Sequence, residues 1–444
     1  MITDITYDVI NEKHGVAFAN VADTEAMFGG AESVTTTPVN DKSYVNWGSD
    51  NKLPYRIMAM IGSDEVMSTN KQFNALTCYG SGLHYVDKLT EEDTTDADVD
   101  EFAFSQNLPK LFMEHCHDMK YFYFCVTVLH LTADGSKIVA LRHREACFTR
   151  FEKADENGRI NHIFIGNFDE GVGPKDIEVL SLLNETDPLG DLMVRMGRKA
   201  GRDGQLRVRT AERSFAIVVR LPTPGNLYYP IPHYAAVFRG SWYDIKRLIG
   251  VGKKQAIKNH SPLRYLVQIN DKYWERLFKS KNIQSDPVKQ NECIAEEKRK
   301  INEYLSGVEN SGKSLYTGFY VDPTGQVNEM IKIDVIKNKN EGGDWSEDIV
   351  EASNILCYAD NIHPNLVGAT PGKAQMNNSG SDKRELFTLK QAIEVGVHDL
   401  MKLPHNVVIR YNGWNDKVKV IVPMITLTTL DKNGDAQLNK NITE

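Results

Sequence analysis

The hydrophobic pattern starts late. The first forty residues are rich in Thr, Asp, Gly and Asn, show little periodicity and read as an arm or irregular lead-in. Order begins near Tyr44-Val-Asn-Trp47; Pro54 opens a short helix, and Ser63-Asp64 offers capping side chains for a second that runs to about Tyr79. Gly80 and Gly82 end it before a strand at 83–86. Residues 90–101 are acidic and poor in apolar side chains, which predicts an exposed loop. A helix over 108–119 and a β-branched, aromatic strand over 121–131 follow. Residues 138–221 change to short strands broken by turns, with Asp155-Glu-Asn-Gly158 joining a hairpin of 147–151 and 160–165.

Pro230 and Pro232 introduce the longest helical pattern, 232–259, which would reach about 42 Å if straight. Phe238, Trp242, Ile245, Ile249 and Gly252 recur at spacings of three and four and predict a buried stripe. Arg239, Lys246 and Lys253 recur every seven residues and predict a basic stripe; Gly240 and Gly250 leave room for a bend. Further on, Ser285-Asp286-Pro287 starts a helix to about Leu305, and Asp322-Pro-Thr-Gly325 joins strands over 315–321 and 327–336. Helices are predicted over 346–359 and 383–403, the second with Leu386, Leu389, Ile393, Val397 and Leu400 on one apolar face. Two strand-like runs complete 405–430. The fold class these elements predict is α+β.

Composition adds boundaries. The chain has 444 residues, 41% hydrophobic and 25% charged, enough for a sizeable core and two or three regions. No apolar run approaches the roughly 20 residues that span a bilayer, and the start lacks the basic and apolar regions of a secretory signal. The expectation is a chain made in the cytosol with no membrane partner. Six scattered cysteines predict free, buried thiols. In His115-Cys116-His117 adjacent side chains diverge, so no metal site is expected. A net charge of −8 argues against a surface that grips nucleic acid everywhere; it is compatible with a conduit that lets DNA slide and equally with no DNA at all. Against that acidic background Arg195, Arg198, Lys199, Arg202, Arg207, Arg209 and Arg213 form a basic cluster, either a solvated loop face or a contact with DNA or a partner.

Gly307-Val-Glu-Asn-Ser-Gly-Lys-Ser314 matches the pattern G-x-x-x-x-G-K-[ST]. A phosphate-binding loop of that kind follows a strand and opens a helix, whose first amides face the anion. Here a charged helical segment leads in and a strand-like one leads out, so the match reads as a helix-to-strand turn. No nucleophile with a nearby base and no paired carboxylates stand out, and neither an enzyme activity nor a cofactor is expected.

The order of segments from Trp47 to Leu403 resembles that of tailed-bacteriophage portal proteins, a family without a short diagnostic signature. Tyr228-Tyr-Pro-Ile-Pro232, the long helix and Lys258-Asn-His-Ser-Pro262 are similar to the passage into and out of that family's stem. Gly307–Ser314 fits the turn that follows, and Asn361-Ile-His-Pro-Asn-Leu-Val-Gly368 with Met376-Asn-Asn-Ser-Gly-Ser-Asp-Lys383 resembles the segments that lead to the crown. The resemblance implies a portal-type fold: an arm over 1–45, a wing over 46–137 and 261–360, a β-rich clip over 138–231, a stem helix over 232–260, and a helical crown with tail over 361–444. It departs from the family in showing no long first stem helix and in a basic insertion at 187–213.

What the resemblance implies for function is a homo-oligomeric ring, usually a dodecamer, at one capsid vertex of the virion, assembled in the host cytoplasm. Its partners would be double-stranded DNA in the channel, the terminase large subunit, the head–tail connector or adaptor, and the major capsid protein and scaffold. A tunnel loop over 336–345 would offer Lys337 and Lys339 for phosphate attraction and Asn338 and Asn340 for neutral polar contact. Arg239, Lys246 and Lys253 would line the channel or meet acidic neighbours, and Arg198, Lys199, Arg202 and Arg207 would meet DNA or a partner. The alternatives are a P-loop nucleotidase using Gly307–Ser314 and another virion ring or adaptor.

Overall fold

Helices and strands alternate along the chain as an α+β protein. The computed structural model describes residues 2–11, 14–21, 34–169, 173–259, 265–306, 318–321, 325, 327–335, 344–367, 380–425 and 427. Two units form, 1–247 with 347–444 and, separately, 248–346; the chain leaves the first within one helix and returns within another.

The first unit opens with hairpins β1 (Ile2–Asn11) with β2 (His14–Val21), and β3 (Thr36–Val39) with β4 (Lys42–Val45). Helices α1 (Leu53–Gly62) and α2 (Glu65–Tyr79), strand β5 (His84–Asp87) and helices α3 (Ala97–Ser105) and α4 (Leu108–Phe122) follow. Next come β6 (Phe124–Leu131), β7 (Ile138–Arg144), β8 (Thr149–Phe151), β9 (His162–Ile165), β10 (Glu178–Leu182), α5 (Pro188–Arg195), β11 (Ser214–Arg220) and α6 (Ala236–Arg239). Helix α7 (Trp242–Asn259) leads out. The second unit holds β12 (Tyr265–Ile269), α8 (Asp271–Ser280), α9 (Pro287–Ser306), β13 (Phe319–Val321), β14 (Val327–Glu329) and β15 (Ile331–Val335). Helix α10 (Asp344–Ala359) returns to the first, which ends with α11 (Pro364–Val367), α12 (Gly380–Met401), α13 (Leu403–Tyr411) and β16 (Val418–Ile421).

A six-stranded sheet in the order β7-β6-β11-β10-β9-β8 organises the first unit. All its pairs are antiparallel except β10 with β11. Side chains alternate across β11: Phe215, Ile217 and Val219 enter one core with Leu111, Phe112 and Val408, while Ala216 and Val218 enter another with Trp47, Ile57 and Tyr234. Both faces are therefore covered, which explains why β6 and β11 read as continuous apolar runs. The outer edge of β7 is closed by amides, not by another strand. Gln106 Oε1 accepts from Leu141 N at 2.9 Å, and Asn412 Oδ1 accepts from Ile138 N at 2.8 Å. Side-chain amides that satisfy edge groups in this way remove a template for stray strand pairing.

In the second unit β12 pairs with β15, Tyr265 opposite Val335 and Ile269 opposite Ile331, and β13 pairs with β14. Tyr273 of α8 donates to Glu297 Oε1 of α9 at 2.9 Å.

Six expectations from pattern need correction. Residues 2–11 with 14–21 and residues 36–45 form two hairpins in place of an irregular lead-in, and Ile245 of the expected buried stripe is exposed. The acidic stretch 90–101 is not all loop: Asp96 accepts from Asp98 N at 3.2 Å and opens α3, whose Val99 and Phe102 are buried. The long helix is broken, because Gly240 and Ser241 separate α6 from α7 and Ser241 sits at φ +62°. Residues 403–411 are helical, with Val407, Val408 and Ile409 buried, where a strand-like run was expected. On α12 the predicted apolar face is partly outside: Leu389 and Ile393 are exposed while Lys390, Gln391, Glu394 and His398 are buried. The 147–151 and 160–165 runs do pair as the β8–β9 hairpin. Position 138, where the clip was expected to begin, is the first residue of β7, which pairs with β6.

Candidate functional site

The basic segment after β10 is held by its own chain. Asp187 caps α5, accepting from Gly190 N at 2.8 Å. Arg195 donates to Leu182 O and to Asp191 Oδ2, each at 3.0 Å, and Arg159 reaches the same carboxylate at 2.6 Å. Arg198 donates to Tyr411 O at 3.0 Å and lies 4.3 Å over the Tyr411 ring. Gly197, at φ +70°, lets the returning strand cross closely: a Cβ there would stand 2.7 Å from the Arg207 carbonyl carbon. Arg207 and Arg209 share Asp203, and Arg213 donates to Ala133 O at 2.9 Å. Of the cluster, Lys199 and Arg202 are exposed with no side-chain partner among the described residues, and they are the pair left to meet an anion.

The seven-residue spacing of Arg239, Lys246 and Lys253 does not produce one surface stripe. Arg239 ends α6 and is exposed, whereas Lys253 lies half-buried on α7. Lys246 is buried, its ammonium 2.6 Å from Asp64 Oδ2 and 2.6 Å from Glu65 Oε2. The other Asp64 oxygen accepts from Val66 N at 3.0 Å and Met67 N at 2.9 Å, so one carboxylate caps α2 and anchors α7. A lysine so engaged serves the fold, and the spacing of charges alone could not reveal the partner 182 residues away.

Lys337, Asn338, Lys339 and Asn340 lie outside the described residues, as does Gly307–Ser314. The flanks of that motif are described: helix α9 precedes it and strand β13 follows it, the reverse of a phosphate-binding loop.

Sequence reasoning missed a cluster of buried charge. Lys71 of α2 pairs with Asp360, which follows α10, and lies 3.1 Å over the Tyr234 ring. Lys120 of α4 pairs with Glu394 of α12, and Lys390, 3.7 Å from Glu394, donates to Asn361 O at 3.3 Å. These groups line a cavity of about 820 Å³ whose walls include Tyr123, Trp242, Tyr358 and Ile393. Burial pushes the Lys71 ammonium down to about 8, with Asp360 opposing the shift, and pushes Lys390 down as well. One Asp360 oxygen, Oδ2, has no hydrogen-bond partner among the described residues. In sequence Lys390 and Glu394 look like an ordinary surface pair one turn apart, so nothing local signalled their burial.

A second cavity of about 530 Å³ is lined by Met58, Met113, His117, His143 and Cys147, among others. There His143 Nε2 stands 2.7 Å from Asp118 Oδ2, which also accepts from Ala146 N at 2.9 Å. Burial pushes the Cys147 thiol far up, the opposite of an activated nucleophile. The His115-Cys116-His117 side chains diverge: His115 meets Thr127 Oγ1 at 3.1 Å, Cys116 is buried, and His117 faces the cavity.

No family model matches the sequence, nor does any curated protein. Solved structures do. A chain in the virion of a native gene transfer agent particle superposes with TM-score 0.52 at 11% identity, covering 83% of this chain and 82% of that one. A chain in the neck of the native particle, computed with C12 symmetry, gives the same score, identity and coverage. This chain shares the fold of a gene transfer agent neck protein. At 11% identity the shared fold is what the likeness establishes. A crystal structure of an HK97-family phage portal protein from Corynebacterium diphtheriae aligns at TM-score 0.28 and 11% identity over 72% of this chain and 80% of that one, a score from which no shared fold is argued. Among the described residues no helix is long and apolar enough to cross a membrane.

Proposed function

We propose that this chain is the portal subunit of a tailed phage or related particle, a homo-oligomeric ring in the virion through which DNA is packaged and leaves. The observation that carries the reading is the fold shared over 83% of the chain with a protein of a particle neck computed with C12 symmetry. The order of segments from Trp47 to Leu403, similar to that of portal proteins, supports it independently of the superposition. In this reading the ring is a dodecamer, the six-stranded sheet belongs to wing and clip, α7 to the stem, and α12 with α13 to the crown. The terminase supplies ATP hydrolysis during filling, and the connector replaces it afterwards.

Imaging the purified chain in ice, sorted by rotational symmetry, tests this. Closed rings of about twelve subunits with an open axis are expected for a head-to-tail assembly. Six-fold rings that hydrolyse ATP would overturn the reading in favour of a nucleotidase.

Within the ring, Lys337 and Lys339 meet passing phosphates weakly and without sequence preference. Replacing both with alanine is expected to lower packaged-DNA retention severalfold while rings still form. Unchanged packaging and retention would remove that role. Lys199 and Arg202, exposed and without a side-chain partner among the described residues, are the candidates for contact with an acidic partner or DNA.

A further inference from the structure

The three most exposed large apolar side chains of the described residues are Leu89 at 90%, Phe104 at 86% and Tyr358 at 85%. Phe104 and Tyr358 stand at two places of opposite charge. Phe104 projects from the outer face of α3, one turn from Asp100 and Glu101, while Val99 and Phe102 hold the inner face in the core. Asp100 and Glu101 are exposed, and neither has a side-chain partner among the described residues. Tyr358 stands at the other place, lining the 820 Å³ cavity with Ile393, which is also exposed. The charged lining of that cavity comprises three ammonium groups, Lys71, Lys120 and Lys390, against two carboxylates, Asp360 and Glu394.

One copy cannot fill its own cavity with its own Phe104. Helix α3 ends just before Asn107, at the start of α4, whereas Lys120 brings the far end of α4 to the cavity. A helix of that length separates the two places by about 20 Å. The surfaces are therefore different patches of one molecule, as a head-to-tail contact requires, and such contacts close into rings when the rotation allows.

We propose that the outer face of α3 of one copy docks in the lysine-floored cavity of the next, Phe104 packing against Tyr358 and Ile393 while Asp100 and Glu101 approach the lysines. An anionic neighbour offsets the excess of positive charge on the floor, and the aromatic contact covers apolar surface that water otherwise wets. This rests on the ring reading above and names the surfaces that make the ring.

The six native cysteines are all buried, so new thiols report cleanly. The double variant F104C/Y358C, treated with a short bismaleimide, is expected to give a ladder of covalent oligomers up to the full ring. A mixture of the two single variants should stop at dimers. Separately, D100K with E101K should lower the assembled fraction at least tenfold while the chain stays folded by far-UV circular dichroism, because both positions are exposed. Rings that form yet give no ladder, or that tolerate the charge reversal, overturn the docking and leave the ring reading intact. An unmodified chain that stays monomeric at every concentration overturns the ring and the docking together.

Discussion

Arg150 gathers several polar contacts at one buried side chain. It is wholly buried, and no carboxylate faces it among the described residues. Its guanidinium donates to Asn51 Oδ1 at 2.5 Å, Asn51 O at 2.9 Å, Cys147 O at 2.9 Å and Thr149 O at 2.8 Å. Its central carbon, Cζ, lies 4.5 Å from the centre of the Phe168 ring and 5.5 Å from that of Trp47. A planar fork with five donors satisfies four acceptors and stacks on aromatics at once, which an ammonium cannot do. R150K is therefore expected to cost about 3 kcal/mol, read from the shift in urea midpoint. A cost near zero would mean that the carbonyls find other donors. Lys246 follows the same rule with opposite partners: its charge is buried because Asp64 and Glu65 are there to receive it.

At the scale of elements, the break between α6 and α7 is written in backbone angles. Ser241 occupies the left-handed region, where a Cβ costs roughly 1 kcal/mol and glycine nothing. S241G is expected to raise stability by up to about 1 kcal/mol, measured by chemical unfolding. A loss instead would show that the serine side chain holds the turn. The pattern along 232–259 favoured one helix because Trp242 and Ile245 keep helical spacing with Phe238 across the break, and a two-residue interruption barely disturbs that period. For α12 the reason for misreading differs. Amphipathicity identifies a face of like residues, but burial depends on what the neighbours offer: Lys120 of α4 pairs with Glu394, and Lys390 is received by Glu394 and the Asn361 carbonyl. The β8–β9 hairpin was legible because its turn chemistry is local.

At the scale of the whole molecule, the core of the first unit holds histidines that resist protonation. Burial pushes His405, whose Nδ1 stands 2.9 Å from the Tyr85 hydroxyl, down to about 4, and pushes His115 well below its ordinary value. Between the ordinary histidine value near 6.5 and about 4, the unfolded chain binds protons that the folded chain refuses. Stability from this source is complete above pH 6.5 and is lost as the pH falls toward 4. Thermal midpoints should drop across that window, and H405Q should make the drop shallower. An unchanged slope would exclude His405 as its cause. A chain with this chemistry is expected to hold its fold at neutral pH and to loosen in mild acid.

The sequence by itself determined what depends on neighbours a few residues away: strand runs, the caps at Ser63-Asp64 and Asp286, the β8–β9 turn, and the α+β class. It also marked the order of segments that resembles a portal protein, and the reversed flanks of Gly307–Ser314. Only the tertiary structure decided which charges are buried. Lys71 with Asp360 and Lys120 with Glu394 are joined across 289 and 274 residues. A buried lysine and a surface lysine are the same letter in a sequence, and only a carboxylate brought close by the fold lets one leave water.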